Sequence, residues 1–251
     1  MGHERVGALP HSKPWRNVEA QISNAASTED SVAELANSTL DNVQARFRHL
    51  NRDEGVKAAF EFLIALSSGS SSTNIDLSSN PSPLGLAMEL RDWVRDHRES
   101  IEYADIAQKA ATDTIVRWSE QRTEQRSLFG DQDHATEIWR SAGNGTGFCE
   151  VSRLFFAKFT ERYLNYFLER EASAELTSIE DRDRFSSRLR EHIDQVSRYA
   201  FETSRITQSF AAGWFNQHVR SGMPSDHEIE GFLYVAFGKI REELLREGSA
   251  E

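Results

Sequence analysis

From Gly143 to Phe167 the chain reads GNGTGFCEVSRLFFAKFTERYLNYF. Aromatic rings stand at Phe148, Phe155, Phe156, Phe159, Tyr163, Tyr166 and Phe167. Their spacing is helical, and it lacks the strict alternation of a half-buried strand. Phe155, Phe159 and Tyr166 share one face, and Phe156, Tyr163 and Phe167 flank it. A helix with so wide an apolar cover must be enclosed by other elements. The glycine cluster in front of it delivers the chain into that buried position. This stretch therefore requires a multi-helix assembly around a central aromatic helix.

The remaining segments supply the surrounding helices. Ser12 and Pro14 form a serine-then-proline helix start, and Trp15, Val18 and Ile22 follow at helical spacing. Val32, Leu35, Ala36, Leu40, Val43, Phe47 and Leu50 continue the period near 3.6. The run VKAAFEFLIAL over 56–66 reads as a short helix buried on several sides. Ser82 and Pro83 open the next helix by the same logic as Ser12 and Pro14. Further amphipathic stretches cover 100–128 and 131–142. The positions Leu189, Ile193, Val196, Ala200, Thr203, Thr207, Phe210 and Trp214 form a heptad seam, which predicts one long helix near 179–218. A final helix starts at Asp226, and Gly231 and Gly238, one heptad apart on it, offer a neighbouring helix close approach. No segment alternates as a strand does. The expected fold is all-α, an irregular helical bundle of about eight helices.

Ser67 to Pro83 (SSGSSSTNIDLSSNPSP) is the one low-complexity stretch. It divides an N-terminal helical segment, 1–66, from a main bundle, 84–251, with 67–83 as a flexible linker or loop.

Composition narrows the function classes. The net charge of −11 disfavours nucleic acid as the sole partner, because sequence-independent affinity comes from neutralising phosphates. Cys149 is the only cysteine, which excludes an intrachain disulfide framework and thiolate-zinc clusters. No apolar run follows Met1 and none is long enough for a membrane span, so a cytoplasmic protein without membrane contact is expected.

The motifs that carry chemistry fail one by one. Gly147 is followed by Phe148 and Cys149, so the lysine and hydroxyl of a P-loop are missing. A dinucleotide fingerprint needs Gly-x-Gly-x-x-Gly after a strand, and here Gly-x-Gly-x-Gly follows a helical segment. Asp131, Asp133, His134 and Glu137 read as an acidic helix start, and no histidine has glutamate three positions before it, as a di-iron bundle requires. Cys149 stands near a helix start, where a thiol is acidified, but among apolar neighbours that make it structural. The arginines of 182–205 alternate with carboxylates, as on a solvated face. No catalytic residue, metal or cofactor is expected. One anion site remains, at the N–H groups of the helix start, formed by Gly145, Thr146 and Gly147 with Arg140 and Arg153 nearby.

These observations point to a non-catalytic protein-interaction or scaffolding subunit of a larger assembly, for example a bacterial multi-gene defence system. Other protein subunits are the expected partners, and homo-oligomers are compatible with it. Two alternatives follow from the same residues. One is an anion- or nucleotide-binding module built on the Gly143–Glu150 turn. The other is an enzyme whose site is assembled from distant helices.

Overall fold

A computed structural model describes residues 16–18, 20–22, 29–47, 49–69, 75, 77–79, 81–96, 103–127, 135–202, 205–220 and 222–247. Helices account for nearly all of them, and no strand occurs among the described residues. In chain order they are α1 (16–18 and 20–22), α2 (Glu29–Phe47), α3 (Glu54–Ser68), α4 (Pro83–Asp96), α5 (Ala104–Ser127), α6 (Ala135–Arg140), α7 (Gly145–Glu175), α8 (Ile179–Glu202), α9 (Arg205–Trp214) and α10 (Asp226–Glu247). Short 3-10 turns lie at Leu50–Arg52 and Leu77–Ser79, and a π-turn at Phe215–Val219 follows α9. No helix among the described residues is long and apolar enough to cross a membrane.

The aromatic helix is the centre. α7 packs against α2, α3, α5, α8 and α9. From Gly147 to Leu168 it is buried except at Glu150, Lys158, Arg162, Asn165 and Tyr166, which keep partial exposure along one narrow strip. Phe60 of α3 fills the middle of the core, with ring centroids 5.3 Å from Phe155, 5.4 Å from Phe156 and 5.3 Å from Phe232 of α10. A second group joins Phe47 of α2 to Tyr163 and to Phe237, which in turn meets Phe156 and Phe159. Burying each such ring contributes about 1.5–3 kcal/mol, and each good ring pair about 0.5–1.5 kcal/mol more. Trp118 is fully buried beside Trp139, and its indole N–H donates to the Ile138 carbonyl at 3.2 Å, which ties α6 to α5.

Local chemistry sets the helix ends. Asp53 caps α3 by accepting from the Val56 N–H at 3.0 Å, and Gly69 ends that helix with φ of 57°, a conformation glycine adopts without a Cβ penalty. The Ser82 hydroxyl accepts from the Gly85 N–H with Pro83 as the first residue of α4, as the serine-then-proline pattern predicts. The matching start at Ser12 and Pro14 lies outside the described residues, as do Asp131, Asp133 and His134. The seam expected over 179–218 is carried by α8, α9 and the π-turn in succession, with residues 203 and 204 outside the description. Leu189, Ile193, Val196 and Trp214 of that seam are buried.

One expectation meets a different arrangement. Among the described residues nothing approaches Gly231 or Gly238, where an added Cβ would meet open space. Close approach occurs instead at Gly55, where a Cβ would fall 2.5 Å from the Ala104 Cβ, so that α3 and α5 touch through their backbones. The described part of 67–83 is anchored: Ile75 and Leu77 pack on the core, and the Thr136 hydroxyl donates to the Leu77 carbonyl at 2.8 Å. One continuous apolar cluster takes in residues from α2 and α3 together with α4 through α10.

Candidate functional site

The glycine turn was the sequence's own candidate, and its geometry explains each residue. Asn144 precedes α7 with extended backbone (φ −140°, ψ 164°), and its side-chain oxygen accepts from the Thr146 N–H at 3.1 Å and the Gly147 N–H at 3.0 Å. Its amide group in turn donates to the Ser141 carbonyl at 3.0 Å. Of the N–H groups an incoming anion would use, those of Thr146 and Gly147 are thus engaged by the protein's own cap. The glycines serve contact. A Cβ on Gly147 would lie 2.1 Å from the Ser141 carbonyl oxygen, and one on Gly145 would lie 2.6 Å from the Ala212 Cβ. The turn wedges α7 between the end of α6 and α9, and Phe148 then stacks on Trp214 and meets Phe215.

The two arginines expected beside the turn part company. Arg140 is exposed at the end of α6. Arg153 lies two turns into α7 and is almost completely buried. Its guanidinium bonds Glu150 through Nε at 3.1 Å and Nη2 at 2.7 Å, and reaches Asp194 of α8 through Nη1 at 3.0 Å. Burial by itself would lower its pKa. The hydrogen bonds and charges of Glu150 and Asp194 outweigh that and raise it above its ordinary value. Arg153 therefore clamps α8 to α7. Cys149 is buried on the same helix.

A second polar cluster stands where the π-turn meets the start of α10. His218, in the π-turn, holds its Nδ1 2.7 Å from Glu228 Oε1, and Glu228 Oε2 accepts from the Ser225 N–H and hydroxyl, both at 2.7 Å. Glu228 sits at the third position of α10, so this is a capping box with a histidine attached. The hydrogen bond from the Ser225 hydroxyl, then its N–H and His218, hold the Glu228 carboxyl at about 2. The Trp214 ring lies 5.4 Å from the His218 ring.

The outer face of α4 is exposed. Leu86, Leu90 and Val94 point inward and are buried. One turn apart on the opposite side, Leu84 is 72 % and Met88 52 % exposed. Arg91 and Arg95 continue that row, with side chains 55 % and 63 % exposed and Asp92 between them. Helical spacing of three and four residues puts all of them on one stripe, apolar at its N-terminal half and basic beyond. Helical pattern alone did not single it out, because Leu84 reads with Leu86, Ala87, Leu90, Trp93 and Val94 as one apolar face, whereas Leu84 turns outward and is exposed. The signal available was a leucine and a methionine at four-residue spacing outside that inward face.

No protein-family model matches the chain, and no curated protein or solved structure matches it either.

Proposed function

We propose that the protein is a non-catalytic interaction subunit that docks a partner along the outer face of α4. The observation that carries this reading is the pair Leu84 and Met88, exposed on consecutive turns of a helix whose other apolar face is already buried. Large apolar side chains aligned on one stripe favour a partner that can cover them. Methionine adapts to the shape of what it meets, and arginine is enriched where interfaces are held tightly. The stripe fits a partner helix that presents apolar anchors followed by acidic side chains, which would reach Arg91 and Arg95. A docking role of this kind suits a subunit of a larger assembly.

The test uses the tagged full chain recovered from its native source, with solution mass measured in parallel. A stoichiometric partner is expected, and Leu84→Asp with Met88→Asp should release it while leaving the thermal transition in place. A strictly monomeric protein with no stoichiometric partner overturns the reading. So does a partner that the double variant retains.

A further inference from the structure

Between α5, α7 and α8 lies a cleft of about 530 Å³. That volume lies within the range of small-molecule sites. Each of the three helices sends a cation to its wall: Lys109 from α5, Arg162 from α7, and Arg182 and Arg190 from α8. Three carboxylates, Asp105, Glu161 and Asp183, share the lining. The balance is locally positive in a chain whose net charge is −11.

Carboxylates hold Arg162 and Arg190 in place. Glu161 is buried and saturated, with Oε1 accepting from Arg190 Nε at 3.0 Å and Oε2 from Lys158 at 3.0 Å. Arg190 is thereby fixed at the rim by one nitrogen, and its two terminal nitrogens are bonded to no described residue. Arg162 gives Nε and Nη2 to Asp113, at 3.0 and 2.6 Å, and Asp113 lies outside the lining of the cleft. Its Nη1 is bonded to no described residue. Two guanidinium groups are therefore oriented by neighbours before any ligand arrives, which reduces the ordering cost of binding.

Neutral groups complete the wall. Asn165 stands three residues beyond Arg162 on α7, and Ser186 midway between Arg182 and Arg190 on α8, so each adds hydrogen-bonding capacity beside an arginine. Tyr166, with Ile106 and Phe185, supplies apolar surface. The Tyr166 ring is held edge-on by Phe167, with centroids 5.2 Å apart. Arg162 and Tyr166 stand about one helix turn apart on α7, so the cleft offers a guanidinium beside an aromatic ring, with Arg190 on the α8 wall.

We propose that this cleft binds a nucleotide-sized organic phosphate, its phosphate between Arg162 and Arg190 and its ring against Tyr166. Guanidinium groups match phosphate oxygens in pairs, and a purine face stacks on an aromatic side chain with little demand on base identity. This site is separate from the glycine turn and from the outer face of α4. A protein with such a cleft would carry a small-molecule input alongside any docking role.

The experiment is calorimetric titration of the full chain with AMP, ADP, adenosine and inorganic phosphate. AMP and ADP are expected to bind, adenosine to fail, and phosphate to bind more weakly than AMP. Arg162→Gln and Arg190→Gln should each weaken AMP by at least about tenfold, the loss expected for a charge-assisted contact. Tyr166→Leu should weaken AMP and leave phosphate unchanged. Arg95→Gln, outside the cleft, should change neither. Where an arginine variant lacks a cooperative melt, Ser186→Asp replaces it: a carboxylate on the cleft wall should abolish AMP binding. Absence of any binding at millimolar ligand overturns the proposal, as does AMP affinity that is indifferent to both arginines. Phosphate binding as tightly as AMP overturns the organic-phosphate assignment.

Discussion

At Gly147 the nearest obstacle to a side chain is main chain, the Ser141 carbonyl and the Ala142 Cα. Neither can swing away as a flexible side chain would, so Gly147→Ala should destabilise the protein by about 2 kcal/mol or more, read from urea unfolding. Gly231 gives the opposite sign. It lies inside α10, is exposed, and faces open space. Gly231→Ala should therefore stabilise by about 0.5–1 kcal/mol, because alanine loses less backbone entropy in a helix. Equal effects from the two substitutions would refute the packing account of the glycine turn. His192 is buried on α8, and burial lowers its pKa. Below the ordinary histidine value of about 6.5, the unfolded chain takes up a proton that the folded chain resists. Stability contributed here is thus lost as pH falls below that value. The melting temperature should drop as pH falls below about 6.5, and His192→Gln should flatten that part of the profile.

At the scale of elements, α10 is held at its start by Ser225, Glu228 and His218 together, and the last of these belongs to the π-turn. The carboxyl of Glu228 is depressed to about 2 from an ordinary 4.5. A depressed carboxylate contributes stability above its unfolded pKa and loses it as pH falls through the folded value. Acid unfolding followed by circular dichroism should show that loss between about 4.5 and 2, and Glu228→Gln should remove its share; an unchanged acid limb would exclude the capping role. The elements themselves were largely legible in the residues. Period 3.6 located most helices, and Ser82 with Pro83 marked a start that the structure reproduces. The Asn144 cap was obscured because Asn-Gly also marks a hairpin turn, and only the absence of flanking strands argued against one. Arg153 shows the other limit. Its i, i+3 pairing with Glu150 can be read along the helix, whereas Asp194 is 41 positions away and enters only once α8 folds back on α7. The cleft is similar: Arg182, Ser186 and Arg190 form a visible four-residue row, but the α5 and α7 walls that turn the row into a site come from packing.

At the scale of the whole molecule, Phe60 of α3 sits at the centre of the core, against Phe155 and Phe156 of α7 and Phe232 of α10. Removing the segment before the Ser-rich stretch would therefore take away a core ring and the helix that touches α5 at Gly55. A chain cut to residues 84–251 should retain helical circular dichroism, bind a hydrophobic dye, and lose its cooperative melt. A sharp transition in that fragment would establish an independent domain. The placement of Cys149 has a practical consequence. It is the single thiol of the chain, and it is buried in the first turns of the helix against which α2, α3, α5, α8 and α9 pack. Its rate of reaction with a soluble thiol reagent is therefore a clock for transient opening of the molecular centre. The unmodified protein carries a one-residue gauge of its own breathing, readable under any solution condition that keeps the reagent alive.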